Sequence, residues 1–203
     1  LEKVVINMGL GEAIQNPNCG WFFNAKPDGF KRIPGSPVAY WIPEETFAAF
    51  AVGVPLEKIG DARNGMTTGD NGRFVRRWSE VSYGGTEVPS IGKPSPNKKW
   101  VPYNKGGEFR KWYGNNDFVV NWAQEGRELY SFQNSVIRNP SYYFKPCITW
   151  TLLSSSYFGA RLNTGGGVFD VNGMSFFTNN DEYVLAFLLS KVAFSFLRMI
   201  NPT

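Results

Sequence analysis

At 203 residues, 42% hydrophobic and 16% aromatic, the chain can bury a sizeable core as one domain, or one domain with an arm. It has no histidine and only 2 cysteines, Cys19 and Cys147, far apart in sequence; this excludes a zinc cluster and every His-dependent nucleophilic or acid–base scheme, and fits a reducing, cytoplasmic setting. The net charge of +4 is uneven: Lys58 to Lys111 holds 11 Lys and Arg against 5 Asp and Glu, and the remainder 10 against 12, as expected of a polyanion binder.

The 22 Gly and 13 Pro predict short strands, many turns and few helices. In chain order, Val4 to Ile6 opens a short element that Gly9 and Gly11 stop, and Trp21 to Phe23 is a candidate strand. Lys31 to Pro37 reads as a crossing loop, and Tyr40-Trp41-Ile42 as extended chain ahead of Pro43. A helix is predicted from Pro43 to Val52, with Glu44 and Glu45 favouring its start and Gly53 its end.

The next stretch, Gly60 to Trp78, organises the chain. Its first half is Gly, Asn, Asp and Thr, which make turns and offer short hydrogen-bonding groups; its second half, Arg73 to Trp78, alternates arginines with Phe74, Val75 and Trp78, as a half-buried strand would. Lys93 to Lys99 is a loop without core potential, and Trp100 to Gly114 is a second basic run interleaved with aromatics. Phe118 to Trp122 is a strand, Asn121 to Phe132 partly helical, and Tyr142 to Phe144, Ile148 to Trp150, Phe158 to Leu162 and Val168 to Val171 are short strands, the last preceded by the Thr164 to Gly167 turn. Asp181 to Ile200 reads as one helix with Val184, Leu185, Leu188, Leu189, Val192, Phe196 and Met199 on one broad face, capped by Asn180 or Asp181. Lys191 and Arg198 interrupt that run, so no membrane span is expected. Trp100, Trp112 and Trp122 are expected in the core. Leu1 is not preceded by an initiator Met and the chain stops just after the last helix, so it reads as an excised piece of a longer protein.

Three short motifs resemble cofactor or base-binding loops without completing them. Asn16-Pro17-Asn18-Cys19-Gly20 resembles the cofactor loop of DNA methyltransferases, but Trp21 follows where a second small residue and Gly are needed for close backbone approach. Asn139-Pro140-Ser141-Tyr142 resembles the Asn-Pro-Pro-Tyr loop of adenine-N6 methyltransferases, with Ser141 in place of the second proline, and reads as a turn. Gly9-x-Gly11 lacks its third glycine, since Ile14 stands there.

Three longer runs carry a resemblance. They are Gly65-Met66-Thr67-Thr68-Gly69-Asp70-Asn71-Gly72-Arg73-Phe74-Val75-Arg76-Arg77-Trp78; Lys99-Trp100-Val101-Pro102-Tyr103-Asn104-Lys105-Gly106-Gly107-Glu108-Phe109-Arg110-Lys111-Trp112-Tyr113-Gly114-Asn115; and Ile148-Thr149-Trp150 through Ser154-Ser155-Ser156 to Gly167-Val168-Phe169-Asp170. From about Trp21 to Thr203 the chain resembles the C-terminal region of the PglX-type adenine-specific DNA methyltransferases of BREX phage-defence systems and related restriction–modification enzymes. The resemblance implies an α+β fold with a twisted, mostly antiparallel sheet, long loops and flanking helices, similar to the target-recognition domain of type I specificity subunits. It implies residues 1–36 as an arm from an upstream methyltransferase domain and 37–203 as the recognition domain. S-adenosylmethionine would belong to the upstream domain and no cofactor to this part, which would hold duplex DNA without methylating it. Other defence-system proteins are further implied partners.

The basic patch agrees with that reading. Arg73, Arg76, Arg77, Lys98, Lys99, Lys105, Arg110 and Lys111 can neutralise phosphates, which gives affinity without sequence information. Arg63, Asn64, Thr67, Thr68, Asn71 and Asn104 have the side-chain chemistry that reads base edges. The rival readings are a single-stranded nucleic-acid binder using aromatics as stacking platforms, a glycan-binding module, and a partner-docking domain.

Overall fold

The computed structural model describes Asn16, Asn18 and residues 27–92, 94–153 and 157–200. The elements expected at Val4 to Ile6 and Trp21 to Phe23, and nearly all of the Asn16 to Gly20 motif, lie outside the described residues. The chain forms two compact units, Leu1–Val54 with Ser195–Thr203, and Pro55–Phe194.

In the first unit, Pro27–Phe30 forms one helical turn (α1) and Glu44–Val52 a helix (α2). Pro43 caps α2 from outside, Glu44 and Glu45 occupy its first turn, and the Gly53 N–H donates to the Ala49 carbonyl. Ile33, Ala39 and Ile42 are its buried core, with Phe47, Phe50 and Met199 against them. Arg32 holds Glu44 at 2.6 Å and lies over the Phe47 ring. Tyr40 and Trp41 form a turn closed by the Ile42 N–H on the Ala39 carbonyl, where extended chain was expected.

The second unit is α+β. One sheet has the order β1-β8-β5-β6, from Gly60–Arg63 (β1), Gly173–Thr178 (β8), Cys147–Thr151 (β5) and Ala160–Asn163 (β6), all antiparallel. The other has the order β2-β4-β3-β7, from Val75–Arg77 (β2), Phe118–Asn121 (β4), Trp100–Asn104 (β3) and Val168–Phe169 (β7), with only β3 and β7 parallel. The mostly antiparallel α+β fold that the resemblance implies is thus present, its strands divided between two sheets.

Strand alternation decides what each face meets. Ile148, Ala160 and Phe176 point to one side of the first sheet and bury Val184, Leu185 and Leu188 of the helix Asp181–Leu188 (α5). On the opposite side Cys147 and Phe177 join Met66, Phe74, Val101, Val120 and Phe169 in the main core, so this core lies between the sheets. Full burial of each such side chain contributes about 1.5–3 kcal/mol. Along that same inner side runs a polar row, Arg63, Ser175, Thr149 and Arg161, each registered directly opposite the next.

Gly60 to Trp78 crosses from one sheet to the other. It starts as β1 and passes through Met66 and Thr67, which bridge Asp170 and Val136. The single turn Asn71–Phe74 (α3) follows, its Arg73 N–H bound by the Asp70 carboxylate at 3.0 Å, and β2 ends the stretch. The expected strand thus starts two residues later than Arg73, because Asp70 caps a turn first. The predicted helix from Asp181 is likewise two helices, α5 and Lys191–Ile200 (α6). Ser190 breaks it: its hydroxyl accepts the Ala193 N–H, satisfying a backbone donor at the start of a new helix. Tyr142 to Phe144 is not a strand, since Pro140–Tyr142 forms a 3-10 turn entered by left-handed Asn139. Ala123–Ser131 is helical as expected (α4), with left-handed residues at Gln124 to Gly126. Among the described residues no single helix is long and apolar enough to cross a membrane.

Candidate nucleic-acid interface

Of the candidate residues, Thr67, Thr68, Asn71 and Lys105 line one cleft and Asn104 and Arg110 another, and the other eight line neither. The smaller, about 260 Å³, is lined by Thr67, Thr68, Asn71, Lys105 and Asp170 among others. Its polar groups satisfy one another. Asn71 Oδ1 accepts from Thr68 Oγ1 at 2.8 Å and from Lys105 Nζ at 3.1 Å, and Lys105 Nζ also stands 3.4 Å from Asp170 Oδ2. Asp170 is buried, and accepts from Tyr103 Oη at 2.6 Å and from the Asn172 N–H at 2.8 Å. Burial, with the Asp170 charge beside it, pushes the Tyr103 pKa far up, so Tyr103 is a fixed donor.

Two expected base readers are not on the surface. Thr68 is buried with its hydroxyl spent on Asn71. Asn104 is buried between the sheets, where Nδ2 donates to Thr149 Oγ1, the Gly173 carbonyl and Ser175 Oγ. The Thr68 hydroxyl and Asn104 Nδ2 are thus engaged within the protein, although both residues line a cleft. Arg63 is half-buried, paired with Asp61 at 2.6 Å, donating to Tyr142 Oη at 3.0 Å and stacked over that ring. Asn64 is exposed, and its backbone carbonyl accepts from Asn139 Nδ2 at 2.9 Å. Thr67 pairs through its backbone with Val136.

The larger cleft, about 830 Å³, lies beside β3 and β4. Trp78, Tyr83 and Tyr113 on its walls are 60%, 85% and 72% exposed. Arg110 and the carboxamides of Asn115, Asn116 and Asn163 also line it, with Asp117 as an acidic member. Tyr83, Tyr113 and these asparagines are cleft-lining residues that the sequence alone does not single out. The available signal was the Gly114-Asn115-Asn116 turn closing the second basic run, with Gly114 at φ 127° and Asn115 at φ 60°.

The phosphate candidates divide by their partners. Arg73 is held by Glu128 at 2.6 Å and stacks on Phe132, and Lys105 is held by Asp170. Arg76 Nη1 donates to the carbonyls of Gly72 and Val75, and Lys98 Nζ to that of Gly84. Arg77, Lys99, Arg110 and Lys111 are exposed and make no side-chain ion pair among the described residues. Their alkyl stems or charges rest on local rings at most: Arg77 over Phe118, Lys99 over Trp100, Lys111 over Phe109. Of these four, Arg110 lines the larger cleft and Arg77 lies over the ring of Phe118, which lines it too. Of the expected core tryptophans, Trp122 is buried, Trp100 half-buried and Trp112 56% exposed; Trp112 is turned outward by its left-handed φ of 72°.

The Asn139 to Tyr142 turn does not fit a base-holding loop. Asn139 Nδ2 is committed to Asn64 and Tyr142 Oη donates to Asp61 at 2.9 Å. Gly165, Gly166 and Gly167 lead into β7 and not into a helix whose N-terminus could take a cofactor phosphate or carboxylate. No methyl-transfer step follows from these residues.

The fold and site together are an α+β unit with a cleft that Arg110 and several aromatic and carboxamide residues line. No protein-family model matches the chain. It is 39% identical over 203 residues to the adenine-specific methyltransferase PglX of Lacticaseibacillus casei (strain Zhang), covering 94% of this chain and 17% of that protein. It is 38% identical over 193 residues to the adenine-specific methyltransferase BrxX of Escherichia coli O9:H4 (strain HS), covering 92% of this chain and 15% of that protein. The chain thus spans less than a fifth of the length of the curated relatives it matches.

Proposed function

We propose that this chain is the target-recognition part of an S-adenosylmethionine-dependent adenine-N6 DNA methyltransferase of a phage-defence or restriction–modification system. It grips duplex DNA in the cytoplasm while an upstream domain, together with any further defence-system proteins, carries cofactor and chemistry. The similarity to PglX and BrxX supports the association with adenine methylation. One observation carries the DNA reading: among the described residues, Arg77, Lys99, Arg110 and Lys111 of the basic runs stay exposed and without an ion pair, Arg110 on the wall of the larger cleft, while Arg63, Arg73 and Lys105 are neutralised by carboxylates. Unpaired cations and a concave, carboxamide-lined surface suit a polyanion whose edges offer hydrogen-bond donors and acceptors.

In this reading the larger cleft is the recognition surface. Asn115, Asn116 and Asn163 are its candidate base readers, with Asn104 beneath them, while Asn64 and Asn71, the latter held by Thr68, are candidates outside it. The fold's likeness to a specificity-subunit recognition domain, and an arm at 1–36 with a recognition domain at 37–203, belong to the same proposal.

The exposed rings of Trp78, Tyr83 and Tyr113 favour a second reading, single-strand binding by stacking, at about 1–3 kcal/mol per base. Fluorescence anisotropy with labelled duplex and single strands of equal length separates the two. Tighter duplex binding, weakening by roughly 0.9 log units per neutralised phosphate for each log unit of salt, is the expected result. Preference for the single strand, or insensitivity to salt, sinks the duplex reading.

A further inference from the structure

Arg161 on β6 is 1% exposed, and its Nε, Nη1 and Nη2 have no hydrogen-bond partner. Among the described residues no carboxylate pairs with it and no ring stacks on it. Burial alone lowers its pKa, but an arginine stays charged. A buried, uncompensated guanidinium is among the costliest features a folded chain can carry, and it points to an anionic partner outside the described residues.

Its position relates it to the larger cleft from three sides. Thr149, directly opposite on β5, bonds Asn104, which lines the cleft. Asn163, two residues along β6 on the same face, lines it too. On the outer side of β6, the Trp112 N–H donates to the Ala160 carbonyl and the Leu162 N–H to the Trp112 carbonyl, both at 2.9 Å. This lays the segment 110–115 beside Arg161, and its Arg110, Tyr113, Gly114 and Asn115 form a wall of the cleft. The segment is strained: Trp112 and Asn115 have φ of 72° and 60°, which is costly for a bulky tryptophan.

We propose that Arg161 is the inner end of the larger cleft, an anion subsite whose guanidinium takes a phosphate group when the strained 110–115 segment gives way. Asn104, Thr149 and Ser175 are neutral and already hydrogen-bonded to one another, so they cannot offset the charge. A phosphate can, because its oxygens match the planar fork of donors and carry the missing negative charge. That the phosphate belongs to a DNA backbone rests on the duplex reading above; that the subsite binds phosphate does not.

The test is thermal unfolding of the chain in inorganic phosphate against sodium chloride at matched ionic strength. Phosphate at about ten times its Kd is expected to raise Tm by roughly 3–6 °C. Arg161→Met should abolish that rise and leave Tm in chloride unchanged or higher, since it fills similar volume without the buried charge. The proposal is overturned if wild type shows no phosphate-specific rise, if Arg161→Met keeps the rise, or if Arg161→Met unfolds far below wild type in chloride. Arg161→Lys, which keeps the charge but loses the fork, should weaken phosphate at least tenfold; unchanged affinity also overturns the proposal. Duplex titrations of Arg161→Lys supply the separate arm. A phosphate rise that depends on Arg161, with duplex affinity unmoved, upholds the subsite and removes DNA as its source.

Discussion

Tyr103 donates a 2.6 Å hydrogen bond to the buried Asp170 carboxylate across 67 residues of sequence, from β3 to the residue just past β7. Asp170 in turn holds Lys105 at 3.4 Å, so one carboxylate links a buried phenol to an ammonium at the smaller cleft. Tyr103→Phe removes the phenolic donor and leaves a buried acceptor under-satisfied, at a cost of about 1–3 kcal/mol. Urea unfolding should show this as a lower midpoint with an unchanged slope; an unchanged midpoint would mean that water replaces the phenol.

Gly65 shows why the organising stretch needs a glycine. A Cβ there would stand 1.9 Å from the Phe169 carbonyl oxygen, where the Met66 N–H makes its 2.9 Å bond to the same oxygen. Gly65→Ala must push the two backbones apart and break that bridge. A loss on the order of 3 kcal/mol is expected, read as a drop in thermal midpoint. A variant as stable as wild type would contradict the close approach.

Legibility followed local signals. The α2 helix was visible because acidic residues and a glycine mark its ends, and β5 because Ile148, Thr149 and Trp150 have strand propensity. The β8 strand was not visible: it is buried on both faces in the middle of its sheet, so Met174 to Phe177 shows no polar alternation. The break at Ser190 was hidden because a hydroxyl cap does not interrupt an apolar period. At the site, residue type was legible and burial was not. Thr68 and Asn104 have base-reading chemistry, but Thr68 is engaged by Asn71 one turn on and Asn104 by Thr149 from the other sheet, and neither engagement shows in residue type.

Cys147 should be inert in the folded chain. Burial pushes its thiol up to about 12, against a small lowering by Ser175, and the buried phenols of Tyr103 and Tyr143 are raised as well. The folded state therefore holds these protons to higher pH than the unfolded state, whose thiol and phenols titrate near about 8.5 and 10. Stability is fully present below about pH 8.5 and falls as pH rises through the alkaline range. Urea midpoints from neutral to about pH 10.5 should decline, and Cys147→Ala should remove the earliest part of the decline. A thiol reagent that labels Cys147 rapidly at neutral pH without denaturant would show that it is not buried.

The division of cations into paired and unpaired can be tested by charge reversal. Arg110→Glu with Lys111→Glu alters exposed side chains that have no ion pair among the described residues, so thermal stability should barely move. Duplex affinity should fall, and the slope of log affinity against log salt should flatten by about 0.9 for each phosphate the variant no longer neutralises. Arg73→Gln is the contrast. Its guanidinium is already neutralised by Glu128 at 2.6 Å and stacked on Phe132, so its removal should change the salt slope little. Equal losses from the two variants would show that DNA displaces Glu128 and that Arg73 belongs to the same surface. A loss from Arg73→Gln alone would move the recognition surface from the larger cleft to the face that carries Arg73, Glu128 and Phe132.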